Sequence, residues 1–316
     1  MSMPITRTST PDRRRPERDG LNRRFVGDLQ PENGGVPGGR QRSERSRAPP
    51  LTRIGVHKAP GRARLNLVAG PISPRVISCT ATGARVALVA TTALLLGGDH
   101  IEIGIDIGPG AWLDIVEIAG TVAYDAGGIA SSWTVRARVA DGAALIWAAE
   151  PFVVAGGANT LRSTVIDLDD RAVAYVRETA VLGRTGEAGG AVRSRLTVTQ
   201  AARPVLVEDM DLREVGTRSL PGILGAARVI DTVGLFGARA PADPAVPAGC
   251  RFELDGPGTV ARVLTSQVDR SPLHSVAGAW QSVAKTAAVT REVPEGDHPE
   301  PPGAGHDRTH GTPVGR

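Results

Sequence analysis

Aromatic side chains are scarce in this chain: Phe, Trp and Tyr together make up 3% of its 316 residues. A protein that stacks single-stranded bases on successive rings needs more of them, so nucleic acid is not an expected partner. Lysine is scarcer still, with Lys58 and Lys285 the only two, and Arg carries nearly all the basic charge. The two cysteines, Cys79 and Cys250, lie far apart and outside any Cys-x-x-Cys pair. They suggest neither a disulfide framework nor a zinc site and read as small buried apolar side chains. Among the six histidines, His57, His100, His274, His298, His306 and His310, no HxH or HExxH spacing sets two imidazoles on one metal. The last three fall in a polar tail and read as solvated. There is no GxSxG elbow and no GxxxxGK[ST] loop, so any nucleotide-driven step must come from a partner.

Long apolar runs are missing too. Arg13-Arg14-Arg15 is not followed by the apolar stretch of a signal peptide. The longest apolar run, Val86 to Leu96, holds two threonines and is too short to span a bilayer. The expectation is a cytoplasmic protein with no membrane partner. The sequence pI of about 9.6 comes from one end of the chain. Positions 1–50 hold 11 Arg and 6 acidic residues out of totals of 37 and 33, which leaves 26 basic against 27 acidic residues and a nearly neutral body.

What is present is alternation. Residues 1–53 are rich in Arg, Pro and Gly and read as a disordered basic arm; residues 291–316 read as a disordered tail. Between them, 54–290 read as one elongated, mainly β domain of stacked antiparallel or mixed sheets. Ile101, Ile103, Ile105 and Ile107 oppose Glu102, Gly104 and Asp106, as a strand with one wet face requires. Val135, Ala137 and Val139 oppose Thr134, Arg136 and Arg138 in the same way, and Ala191 to Val198 repeats the pattern. The turns 108–111, 141–143 and 156–158 each lead into a new apolar run, which predicts consecutive antiparallel strands in stacked layers. Two short helices are expected late in the chain: Ser219–Arg228, with Ser219 as N-cap, and Ser275–Thr286. Val229–Phe236, Arg251–Leu254 and Thr259–Leu264 are read as further strands. Of the apolar residues on the two helices, Ile223, Leu224 and Trp280, at least one belongs in the core and the others are candidates for a partner surface.

Two segments set a carboxylate beside paired glycines: Gly97-Gly98-Asp99 before a strand, and Gly183-Arg184-Thr185-Gly186-Glu187 after one. With the turn Pro109-Gly110-Ala111 and the stretch Leu145, Trp147, Glu150-Pro151 and Gly157-Ala158, they come in an order that resembles the UreD (UreH) family of urease accessory proteins. The resemblance runs over roughly residues 60 to 285. It departs where Val116-Glu117-Ile118-Ala119 and Tyr124-Asp125 replace the Thr-Thr-Pro-type segment and the Lys-x-Tyr-Arg of that family.

The resemblance implies a non-enzymatic scaffold chaperone that joins UreF-like and UreG-like proteins on apo-urease, with UreG supplying GTP hydrolysis. It implies transient Ni²⁺, passed through a tunnel in the protein, with no permanent cofactor and no catalytic residue. A relay favours carboxylates over dense Cys or His cages, because its ligands must let the ion go. Asp99 and Glu187 are the candidate metal residues, each weighed against a structural role in which it accepts N–H bonds of its own turn. Asp106, Glu150, Glu178 and Asp209 are further acids of interest. The alternative readings are a β-rich ligand-binding or carbohydrate-active domain using paired carboxylates, and a structural β-solenoid without metal.

Overall fold

The computed structural model describes residues 51–289. Its first strands are β1 (Leu51–His57), β2 (Arg64–Val68), β3 (Ile72–Cys79) and β4 (Gly83–Ala90). There follow β5 (His100–Ile107), β6 (Trp112–Glu117), β7 (Thr121–Ala123), β8 (Ser131–Val139), β9 (Ala144–Ala148) and β10 (Phe152–Val154). Next come β11 (Asn159–Leu168), β12 (Val173–Leu182), β13 (Ala191–Gln200), β14 (Arg203–Asp211) and a one-turn helix α1 (Val215–Arg218). The last elements are β15 (Val229–Phe236), β16 (Arg251–Glu253), β17 (Gly258–Thr265) and the helix α2 (Leu273–Val289).

The strands fall into two sheets. The first has the order β14-β13-β11-β8-β5-β1-β2 and the second β16-β17-β15-β12-β9-β6-β4-β3, with β7 and β10 attached to the second through β12. The fold is mainly β, as the alternation predicts. The strand sense differs: β1, β5, β8, β11 and β13 run parallel, and so do β4, β6, β9 and β12. Antiparallel pairing is confined to the outer strands, such as β1–β2, β13–β14 and β15–β17. Alternation reports which face is buried, whereas strand sense depends on where the next turn takes the chain. From β4 to β13 the chain passes back and forth between the two sheets, giving a solenoid-like winding.

Stacking puts like residues on one rung. Ile54, Ile105, Ala137, Ile166 and Val198 are register partners across the first sheet, and each is buried. They face Val86, Ile115, Trp147 and Val176 of the second sheet, which form a rung of their own. Each large aliphatic of these rows contributes roughly 1.5–3 kcal/mol by leaving water. The predicted turns 108–111 and 141–143 are corners of the coil, as is 169–172. Ala111, Ala143 and Ala172 are buried there, and Ala144 N–H donates to Ala111 O at 2.9 Å while Val173 N–H donates to Ala143 O at 3.0 Å.

The outer face of the second sheet is covered by α2. Leu273, Val276, Trp280 and Ala284 form its buried stripe against Ile146, Tyr175, Val233, Leu235 and Val263, and so β15 is buried on both faces. Trp280 is buried in the cluster under α2, Leu224 packs in part against the core between the sheets, and Ile223 is exposed. The predicted second helix lies inside α2. The first is corrected: α1 is capped by the Glu214 carboxylate, and Ser219 is its C-cap, not the N-cap of a longer helix. Residues 219–228 form successive turns instead. Cys79 and Cys250 are half-buried free thiols. Leu51–Arg53, assigned above to the arm, begin β1; the rest of the arm and the tail lie outside the described residues. Among the described residues no helix is long and apolar enough to cross a membrane.

Under the N-terminus of α2 lies a fully buried carboxylate. Asp231 accepts both fork hydrogens of Arg177 at 3.1 and 2.8 Å, the Thr179 hydroxyl at 2.9 Å and the Ser271 hydroxyl at 2.5 Å. Burial alone would raise the Asp231 carboxyl, but the Arg177 fork and the two hydroxyls outweigh it and hold the group below its usual range. Ser271 in turn accepts from Leu273 N–H and so caps α2. Asp231→Ala leaves a guanidinium and two hydroxyls without their acceptor, and is expected to lower unfolding free energy by about 3–5 kcal/mol. Urea denaturation of the variant checks this, and a loss below about 1 kcal/mol would contradict it.

Candidate functional site

Four connections return the chain from the second sheet to the first: residues 91–99, 124–130, 155–158 and 183–190. They stack because each strand they join is in register with the next. Tyr124 N–H donates to Leu95 O at 3.2 Å, Ala155 N–H to Ala123 O at 3.0 Å and Gly183 N–H to Val154 O at 2.8 Å. All four contain paired glycines, which allow backbones this close. At Gly183, with φ of 82°, an added Cβ would lie 2.5 Å from Glu187 O and 2.7 Å from Gly189 N. Leu95, buried in the first loop, also has a left-handed φ of 57°, a conformation that costs a non-glycine residue energy and is held by its surroundings.

The structure places both predicted site residues on this stack. Asp99 Oδ2 accepts Leu96 N–H at 3.0 Å within its own turn. Glu187 reaches farther: Oε2 accepts Gly156 N–H at 2.9 Å from the neighbouring loop and Arg184 N–H at 3.0 Å, and Oε1 pairs with the Arg184 guanidinium at 2.6 Å. The Arg184 side chain and those two amides hold the Glu187 carboxyl down at about 2. A third acid, Asp125, precedes Gly127-Gly128 and accepts Gly127 N–H at 3.0 Å. Sequence reasoning passed over it although it carries the signal used for Asp99, a carboxylate beside paired glycines. Among the described residues no three His, Cys, Asp or Glu side chains converge as a metal-holding group.

A second set of acids lies between the sheets. Glu117 accepts the Trp147 indole N–H at 2.9 Å and Glu150 N–H at 3.1 Å, and lines a cavity of about 260 Å³ with Leu88, Tyr124 and Trp133. Burial pushes the Glu117 carboxyl up to about 7, against the smaller opposing effects of the Trp147 bond and Arg162. Next, Arg162 pairs with Glu178 at 2.7 Å, and Thr164 donates to the same oxygen at 3.2 Å. Beyond them Arg262 grips both oxygens of Glu208 at 2.9 and 2.6 Å. Trp147, Arg162 and Glu178 line a cavity of about 10 Å³, and Arg162, Glu178, Glu208 and Arg262 line another of about 30 Å³. Glu208 and Arg262 also border an open apolar groove of about 690 Å³ formed with Leu206, Ile223, Phe252 and Leu264. Polar side chains thus form a row through the sandwich, from one surface cavity to another.

Comparison with known proteins agrees with the motif order. The family model described as UreD urease accessory protein matches residues 52–292. The chain belongs to the UreD family. It is similar to urease accessory protein UreD 1 of Streptomyces griseus, with 42% identity over 196 residues, which is 62% of this chain and 76% of that protein. It is likewise similar to UreD of Frankia casuarinae, at 36% over 199 residues covering 59% and 61% of the two chains. UreD of Streptomyces avermitilis is 31% identical over 228 residues, covering 71% and 84%.

In this UreD-family chain the other acids noted in the sequence scatter. Asp106 faces His57 at 3.5 Å on the outside of the first sheet, and Asp209 is bound by Arg193 and Arg195. Glu150 supplies only its backbone N–H to Glu117, and Glu178 alone lies in the interior row. Glu117 titrates in a window that a variant can isolate. Its carboxyl keeps its proton up to about 7 when folded and loses it near 4.5 when unfolded, so folding stability falls as pH rises through that window, by on the order of 3 kcal/mol. Glu117→Gln should abolish this slope while lowering stability by about 1 kcal/mol at pH 5, because one of the two N–H donors loses its acceptor. Urea unfolding of both proteins at pH 5 and pH 8 measures the difference, and a gap between them that does not change with pH would refute the assignment.

Proposed function

We propose that this chain serves urease activation as a scaffold without catalysis of its own, guiding Ni²⁺ toward apo-urease in concert with UreF-like and UreG-like proteins. The observation that carries the reading is the interior row of Glu117, Glu178 and Glu208 with its string of cavities, in a member of a urease accessory family. Burying charge, as at Arg162–Glu178, is costly and adds little to stability, so a paired row through a sandwich supports transport over packing. Each carboxylate is already met by an Arg, an indole or an amide, and a divalent ion must displace these partners to bind. Such an ion is held weakly, as a relay needs. The cavities of about 10 and 30 Å³ have room for one or two waters, the size of an ion that has shed most of its shell. Ni²⁺ is cargo here.

Asp99 and Glu187 enter this proposal as outer stations of the same route. Their oxygens accept turn N–H groups, which compete with the metal without excluding it. Apo-urease activated in the presence of UreF-like and UreG-like proteins provides the test. Asp99→Ala and Glu187→Ala should still bind the partners and melt within a few degrees of the parent, while nickel incorporated into urease falls severalfold. A parallel loss of melting temperature, partner binding and nickel would assign both acids to turn structure. Unchanged nickel in both would remove them from the route, and unchanged nickel in a folded Glu178→Gln would remove the interior row as well.

A further inference from the structure

The loop that carries Glu187 is held from outside by two cations that have no anion. Arg218, the last residue of α1, is 4% exposed. Its Nη1 donates to Gly190 O at 2.6 Å and Leu212 O at 3.0 Å, and its Nη2 to Ala188 O at 2.6 Å and Gly189 O at 2.9 Å. Arg228, at the head of β15, donates to Leu182 O, Gly183 O and Arg184 O at 2.6–3.2 Å. Neither makes an ion pair among the described residues, although Arg does so in twelve pairs elsewhere in them.

A buried guanidinium that meets only carbonyls is an expensive way to fill space. Burial pulls the Arg218 guanidinium below its ordinary value with no anion to oppose it. What the arrangement supplies is shape. The planar fork of Arg fixes several acceptors in one geometry, which the point charge of Lys does not. Here the two forks together take six of the carbonyls between Leu182 and Gly190. The carbonyls face the forks, the glycines 183 and 189 lie back to back, and Glu187 is left facing the neighbouring loop, where it meets Gly156 N–H. Between the two arginines and Glu187 is a cavity of about 160 Å³.

We infer that Arg218 and Arg228 are positioning residues, which mould the Gly183–Gly190 loop from the carbonyl side and thereby hold the Glu187 carboxylate against Gly156. The inference rests on the reading of Glu187 as a station for Ni²⁺, and its experiment keeps the two apart. Arg218→Lys, Arg228→Lys and Glu187→Gln are compared in the full chain by amide hydrogen exchange and by nickel incorporation into apo-urease with the accessory partners present. In both Lys variants the Gly156 and Arg184 amides, which donate to Glu187, should exchange about tenfold faster, while those of β5 and β8 stay as in the parent. Nickel incorporation should fall to the level of Glu187→Gln. Arg228 is half-buried and its Lys variant carries the test alone where Arg218→Lys does not fold. Unchanged exchange at Gly156 and Arg184 overturns the positioning role. Faster exchange with full nickel incorporation, when Glu187→Gln loses it, also overturns it, since Glu187 then works without the forks. If Glu187→Gln itself incorporates nickel normally, the station reading fails, and the arginines position a loop outside the route.

Discussion

Each time the chain turns from one sheet to the other it leaves backbone N–H groups that no strand partner can reach, and the turn of the adjacent coil accepts them. Corner donates to corner at 111–144 and 143–173, and loop donates to loop from 124 to 95, 155 to 123 and 183 to 154. This requirement that turn amides be satisfied by the next turn forces the coils into register. Register then sets the rungs, and the rungs decide which side chains share the interior. It also limits residue size where backbones meet: alanine at the buried corners and glycine in the loops opposite.

The same register accounts for the polar row. Trp147 is the rung neighbour of Ile115 and Val176, two strand positions from Glu117 and Glu178 respectively, so inward-facing positions of consecutive strands fall beside one another. A charge introduced on one sheet meets whatever the facing sheet supplies, and here Glu178 of β12 meets Arg162 of β11 and Glu208 of β14 meets Arg262 of β17. The outer side is treated differently. There Asp231 is closed over by α2 and shared among three donors, an arrangement that fastens a helix to a sheet.

The buried face of β5 and β8 was legible in the sequence, because Ile101 to Ile107 and Val135 to Val139 alternate without exception. Strand direction was not, since a corner and a hairpin use the same Gly, Pro and Asp. Ser219-Leu220-Pro221 misled for a related reason: a serine two residues before a proline serves equally to begin a helix or to end one. The motif acids Asp99 and Glu187 could be found because glycines mark them locally. Glu117 has no such mark within Val-Glu-Ile, and Glu208 and Arg262 stand 54 residues apart, joined only once the sheets are stacked.

A solenoid of parallel strands has a kinetic character that its native contacts do not display. Partners on a rung of the first sheet, such as Ile103, Val135, Thr164 and Leu196, are separated by about thirty residues, so every parallel ladder closes a long loop before any hydrogen bond rewards it. Chains of high contact order fold in milliseconds to seconds rather than microseconds, with strand edges open in the meantime. During that interval the nascent coils are templates for one another and for other copies. Synthesis of such a chain is therefore a race between winding and aggregation, and the outcome depends on concentration and temperature as much as on the stability of the finished coil.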